Sequence, residues 1–120
     1  MSVKKDTSLG TIKISDDAIA VLAGGAVNES YGVVGMASQK VLKDGFYELL
    51  KKDNYAKGVV VDNSEDGLLV ELYIVIAYGV NVTEVIKEIQ KRVKYTLEKN
   101  LNLAVKSVNV YVQGIKVVSE

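Results

Sequence analysis

Cysteine, histidine, tryptophan and proline are all missing from this chain of 120 residues. Without Cys or His, the commonest zinc ligands, the thiol nucleophile and the side chain that titrates nearest neutral pH are gone. A metal site or a disulfide framework is therefore not expected, and several classes of enzyme drop out. Long apolar runs are lacking too. The stretch AIAVLAGGAV, Ala18 to Val27, falls well short of the roughly 20 residues that a membrane-spanning helix needs. An excess of one charge is also missing, because fifteen basic residues balance fifteen acidic ones. The chain has no whole-molecule field to draw it to nucleic acid or anionic lipid. The opening MSVKKDTSLG carries two lysines with no apolar segment behind them, so it does not read as a signal peptide, and a cytoplasmic location is the expectation.

What is present suits a single domain over residues 1–120, long enough to bury a core without staples. Residues 1–8 are expected to be a flexible N-terminus. In TIKIS, Ile12 and Ile14 alternate with polar neighbours, the period of a strand with one buried face. Ser15 then supplies an N-cap with Asp16 and Asp17 in the first turn, where the helix dipole favours negative charge. Ile19, Leu22, Ala23 and Ala26 follow at helical spacing. Gly24 and Gly25 each cost such a helix about 1 kcal/mol relative to Ala, a cost that close approach of a neighbouring backbone would explain.

Residues 36–57 read as an excursion holding one short amphipathic helix, Asp44 to Lys52. GVVVDNSEDGLLVELYIVIAY reads as a hairpin, with a central strand from Leu68 to about Tyr78 after the polar turn Asn63 to Gly67. Asn81 with Glu84 three residues on resembles a capping box, and Val82, Val85, Ile86, Ile89, Val93 and Leu97 share one face of the helix that follows. Val108, Val110 and Val112 alternate with polar residues in a last strand. The expected fold is α+β: a two-layer sandwich in β-α-β-β-α-β order, KH-like or ferredoxin-like, its mainly antiparallel sheet carrying two main helices on one face.

Few residues converge on chemistry. DNSEDG, Asp62 to Gly67, copies the first half of a calcium loop, but the twelfth position, which should hold a bidentate Glu, is Tyr73; a hairpin turn explains it. Gly32-Val33-Val34-Gly35 matches the Gly-x-x-Gly of a nucleic-acid clamp, although its interior is two valines and the nearest lysine is Lys40. We read it as a packed corner with the valines turned inward. The alternative is a KH-like nucleic-acid-binding protein using that loop. Lys87, Lys91, Arg92, Lys94 and Lys99 form a solvated helix face, with Glu88 placed to pair with Lys91 and Arg92. No nucleophile sits beside an identifiable base, so no catalytic residue is expected.

Three stretches together are recognisable: GTIKISDDAIAVLAGGAVNESYGVVGMAS, GVVVDNSEDGLLVELYIVIAYGVNVTEVIKEIQKRVKY and LAVKSVNVYVQGIKV. They resemble the alkaline shock protein family, the Gls-type envelope stress response family, and within it the short YloU-like branch. The diagnostic parts are Tyr31-Gly32-Val33-Val34-Gly35-Met36, the Tyr-Gly at 78 and 79, and Val108 to Gly114. The resemblance implies a non-enzymatic cytoplasmic protein of Gram-positive bacteria, without a cofactor, tied to cell-envelope homeostasis and acting through protein–protein contacts. The resemblance also implies that larger members self-associate, are recruited to the membrane by an anchoring partner and carry extended termini beyond the shared domain; this chain is expected to lack those termini.

The sheet face left free by the helices is the candidate interface. One alternate set of the central strand, Leu68, Val70, Leu72, Ile74 and Ile76, is wholly aliphatic and is expected to meet the helices. The opposite set still offers Leu69, Tyr73 and Val75, and the last strand adds Tyr111. So much apolar surface on a sheet face calls for a cover. That cover is expected to be a second copy of the chain or a protein partner, or else residues 36–57 folded across it with Phe46, Leu49 and Leu50.

Overall fold

The computed structural model describes residues 2–41, 47–50 and 52–117. Two strands, β1 (Ser2–Thr7) and β2 (Gly10–Ser15), pair antiparallel with each other and with nothing else among the described residues. Residues 2–7 are thus a strand where a flexible end was expected, because TIKIS finds its partner immediately upstream. Period-2 alternation marks TIKIS as a strand without saying which strand completes it. Among the described residues this hairpin meets the body through buried Val3, half-buried Ile14 and a hydrogen bond from Lys5 Nζ to Asn102 O at 3.1 Å. Ile12, expected to face the core, is exposed on the arm.

Helix α1 (Asp16–Asn28) starts where expected, with Ser15 Oγ accepting from the Ala18 N–H at 3.1 Å. Ile19, Ala23 and Ala26 are buried along one face, and Leu22 packs at its margin. The five-stranded sheet comprises β3 (Val33–Val41), β4 (Tyr47–Leu50), β5 (Val59–Ser64), β6 (Gly67–Ala77) and β7 (Val105–Lys116). β6 is central. β7 runs parallel along one edge of it from Leu68 to Ala77. The opposite edge is shared end to end, with β5 antiparallel to Gly67–Leu72 and β3 antiparallel to Ile74–Ile76. Helix α2 (Val82–Leu101) returns the chain between β6 and β7, which is why that pair is parallel. The two-layer α+β plan, mostly antiparallel with both helices on one face, is the expected one, and the β-α-β-β-α-β order is met by β2, α1, β5, β6, α2 and β7; three further strands are added, TIKIS stays outside the main sheet, and β3 takes an edge of β6.

Residues 36–57 also differ from expectation. Of the helix expected over Asp44 to Lys52, residues 44–46 and 51 lie outside the described residues, Phe46 among them. Tyr47–Leu50 is strand, paired with β3, and a 3-10 helix covers Lys52–Gly58. A four-residue segment next to a strand edge gains more from ladder hydrogen bonds than from an isolated short helix. Leu50 and Tyr55 are buried in the same core as the helices, so these two residues of the segment belong to the helix layer, whereas Phe46 and the Leu49 side chain, expected to cover the opposite face, lie outside the described residues.

That core holds Leu68, Val70, Leu72, Ile74 and Ile76 of β6, as their alternation predicts, with Val85, Ile89, Val93 and Leu97 of α2. The glycines of α1 divide. A Cβ on Gly24 would lie 3.2 Å from the Tyr55 Cβ and 3.3 Å from its carbonyl carbon, so the 3-10 helix does approach there; a Cβ on Gly25 would meet nothing within 4 Å. We therefore expect Gly25→Ala to stabilise the domain by about 0.5–1 kcal/mol, the ordinary gain at an exposed helical site. Gly24→Ala is expected to show no gain. Urea unfolding of the two variants measures this, and equal gains at both positions would remove the close-approach role of Gly24.

Candidate interaction surfaces

On the helix-free face of the sheet, Tyr73 of β6 lies directly beside Tyr111 of the parallel strand β7, and their rings stack with centroids 5.1 Å apart and planes 16° from parallel. Parallel pairing in register puts both side chains on the same face, so two tyrosines far apart in sequence form one aromatic block. The Tyr73 hydroxyl donates to Glu71 Oε2 at 2.9 Å. Its pKa is pushed up to about 12, first by burial, then by that hydrogen bond and by the charge of Glu71, with Tyr111 adding to it. The hydroxyl stays a neutral donor across the physiological range.

This face has a closed end and an open end. Toward β3, Gly35, Ala37 and Val75 are buried, and Tyr73 itself is only 9% exposed. Toward β7, Tyr111 is 45% exposed and Leu69 is half-buried. Around the open end stand Ser107, Asn109 and Asp62, polar residues that alternate with core positions on β7 and β5. An apolar, aromatic centre within a polar rim is the anatomy of a docking patch. Of the four expected interface residues, Tyr111 and Leu69 line the open end, Tyr73 braces Tyr111 from below, and Val75 belongs to the closed end.

The Tyr31 to Met36 motif sits elsewhere, and it is no loop between helices. Only Tyr31 and Gly32 form the turn after α1; Val33, Gly35 and Met36 already pair with β6, with Val34 at the register shift as a bulge. Met36 is fully buried, Val33 packs at the core margin and Val34 is half-buried. The expected corner is therefore half turn and half strand. A strand paired along its length cannot wrap a phosphate backbone as a Gly-x-x-Gly loop does, so the nucleic-acid reading loses its structural basis.

The structure brings together two Tyr-Gly steps that are 47 residues apart in the sequence. Gly32 (φ +87°) and Gly79 (φ +95°) both occupy the left-handed region that favours glycine, and the Ala77 N–H donates to Gly32 O at 2.9 Å. Between these turns and the start of α2 lies a cleft of about 330 Å3, lined by Tyr31, Gly79, Val80, Asn81, Glu84, Val85 and Glu88. Asn81 caps the helix as its spacing predicts, with Oδ1 accepting from the Glu84 N–H at 3.1 Å. One turn further, Arg92 lies 3.8 Å from Glu29, the C-cap of α1, and Glu88, expected to pair with it, shows no ion pair among the described residues. No linear pattern announced this cleft. The only signal was the pair of solvent-facing Tyr-Gly dipeptides.

The helix-free face and the cleft are the two candidate surfaces, and among the described residues no cluster of three or more acidic groups gathers to hold a metal. Residues 4–117 match, as one stretch, the alkaline shock protein 23 family, described as having a cell envelope-related function. The chain belongs to that family. It is 54% identical over its full length to an uncharacterized protein of Streptococcus pyogenes, covering 99% of that protein. It is 44% identical to the uncharacterized protein YloU of Bacillus subtilis, over 98% of each chain. YqhY of the same organism, also uncharacterized, is 33% identical over 93% of this chain and 82% of its own. No solved structure matches significantly. The resemblance to the YloU-like branch thus holds over the whole alkaline shock domain, from the root of the N-terminal hairpin to the end of β7. No helix among the described residues is long and apolar enough to cross a membrane.

Proposed function

We propose that this domain is a non-enzymatic interaction module of the envelope-related system to which its family belongs, and that it docks a second copy of itself or a protein partner through the open end of the helix-free sheet face. The stacked Tyr73–Tyr111 pair carries this reading. A partly exposed tyrosine held rigid by a buried one is an anchor that loses little conformational freedom on binding, and aromatic side chains of this kind dominate interface energetics. Leu69 extends the apolar centre, and Ser107, Asn109 and Asp62 supply the rim. In this reading the protein works on the cytoplasmic side and reaches the membrane through its partner, because none of its described helices can serve as an anchor.

Size exclusion with light scattering on the wild type, Tyr111→Asp and Tyr95→Asp tests the reading. Tyr95 is an exposed tyrosine on α2 and serves as the control. The expected result is an oligomer for the wild type and for Tyr95→Asp, and a monomer with an unchanged melting temperature for Tyr111→Asp. A monomeric wild type removes self-association, and the partner form then requires that Tyr111→Asp loses the proteins captured by the wild type in the native organism.

A further inference from the structure

The cleft at the start of α2 has features that a packing role does not require. Tyr31, at its mouth, is 86% exposed, and its ring is free to offer a face to a ligand. Glu84 and Glu88 project into the same cleft from successive turns of α2, no lysine or arginine lines it, and neither carboxylate has an ion pair among the described residues. Like charges four residues apart on a helix repel and cost it a little stability. The floor is apolar, from Val80 and Val85. An aromatic face, two unpaired carboxylates and an apolar floor are complementary to a guanidinium or ammonium group on an alkyl stem.

We propose that this cleft binds a basic peptide segment of a partner protein, with two cationic side chains at alternate positions of an extended strand meeting Glu84 and Glu88. The spacing favours that occupant. Side chains at i and i+4 on a helix stand roughly 5–6 Å apart, and side chains at i and i+2 of an extended chain about 6.6 Å apart. Arginine suits the site better than lysine, because its planar fork can engage a carboxylate and stack on Tyr31 at once. The cleft lies in the helix layer, on the other side of the sheet from the tyrosine stack, so a basic segment can be held there while the helix-free face is occupied. The inference does not rest on the docking role of that face.

Amide NMR titration of the full chain with acetyl-Arg-Ser-Arg-amide at low salt tests the proposal, with acetyl-Arg-Ser-Ser-amide, acetyl-Leu-Ser-Leu-amide and acetyl-Glu-Ser-Glu-amide as comparisons. The expected result is saturable binding with shifts concentrated at Tyr31, Gly79 to Val85 and Glu88, about tenfold weaker for the peptide with a single arginine and absent for the leucine and glutamate peptides. The double variant Glu84→Gln, Glu88→Gln is expected to weaken binding at least tenfold, and Tyr31→Leu several-fold, each with an otherwise unchanged spectrum. Added salt should weaken binding, since the carboxylates are exposed. Four results would each overturn the proposal: no saturable shift, shifts spread equally over the acidic turn Asp62 to Asp66, equal binding of the leucine peptide, or unchanged affinity in the double variant.

Discussion

Gly32→Ala is expected to lower the stability of the domain by roughly 2–4 kcal/mol, the sum of a left-handed backbone penalty and an overpacking penalty. The first part arises because Gly32 has φ +87°, where an L side chain is strained. The second arises because a Cβ there would lie 2.7 Å from Cγ2 of Val85, a buried branched side chain that cannot swing away. The two contributions separate in a double-mutant cycle. Val85→Ala alone removes buried methyl groups and costs stability, but in the Gly32→Ala background it also relieves the collision. The double variant is therefore expected to be more stable than the sum of the single effects allows, with the backbone penalty remaining. Urea unfolding of the four proteins measures the coupling, and strict additivity would show that Val85 does not dictate the glycine.

Ile89→Ala is expected to cost roughly 2–5 kcal/mol, through lost burial and the cavity left behind. Ile89 is fully buried in the ladder Val85, Ile89, Val93, Leu97, by which α2 packs on α1 and β7. Its neighbourhood is poorly placed to collapse into the gap. Gln90 Nε2 donates to Val108 O at 2.9 Å, and Glu98 Oε2 accepts from the Val105 N–H at 3.2 Å, so α2 is pinned to β7 at the very next residue and again further along the helix. Val82→Ala, at the partly exposed first residue of the same helix, should change stability by no more than about 0.5 kcal/mol. Thermal melts distinguish them, and comparable losses at the two positions would contradict the packing described for α2.

Much of the fold was legible because some signals are local. Ser15 and Asn81 cap their helices where their side-chain oxygens can reach the first free N–H groups, and that depends only on residues three positions apart. The four-residue repeat of α2 and the two-residue repeat of β6 sort apolar side chains to one face whatever lies opposite. The same signals misled where a choice of partner was involved. Alternation in TIKIS implied a core strand, yet Ile12 is exposed on a hairpin arm. Tyr47–Leu50 scanned as helix and is strand, since β3 offers it an edge. The glycine pair of α1 looked uniform, and only the approach of Tyr55 separates Gly24 from Gly25.

The candidate surfaces follow the same division. Tyr73 and Tyr111 were each visible as outward residues of their strands, but their stacking depends on the parallel register that α2 imposes on β6 and β7. Tyr31 and Glu88 share a cleft because the turn at Gly32 packs against Val85. By itself the sequence determined where helices begin, which faces are apolar, and that no cysteine or histidine chemistry is available. The tertiary structure alone decided which strand edges meet and which distant turns close a cleft. Backbone edges carry the same donors and acceptors at every residue, so strand partners are selected by the packing of the whole core and not by any local pattern.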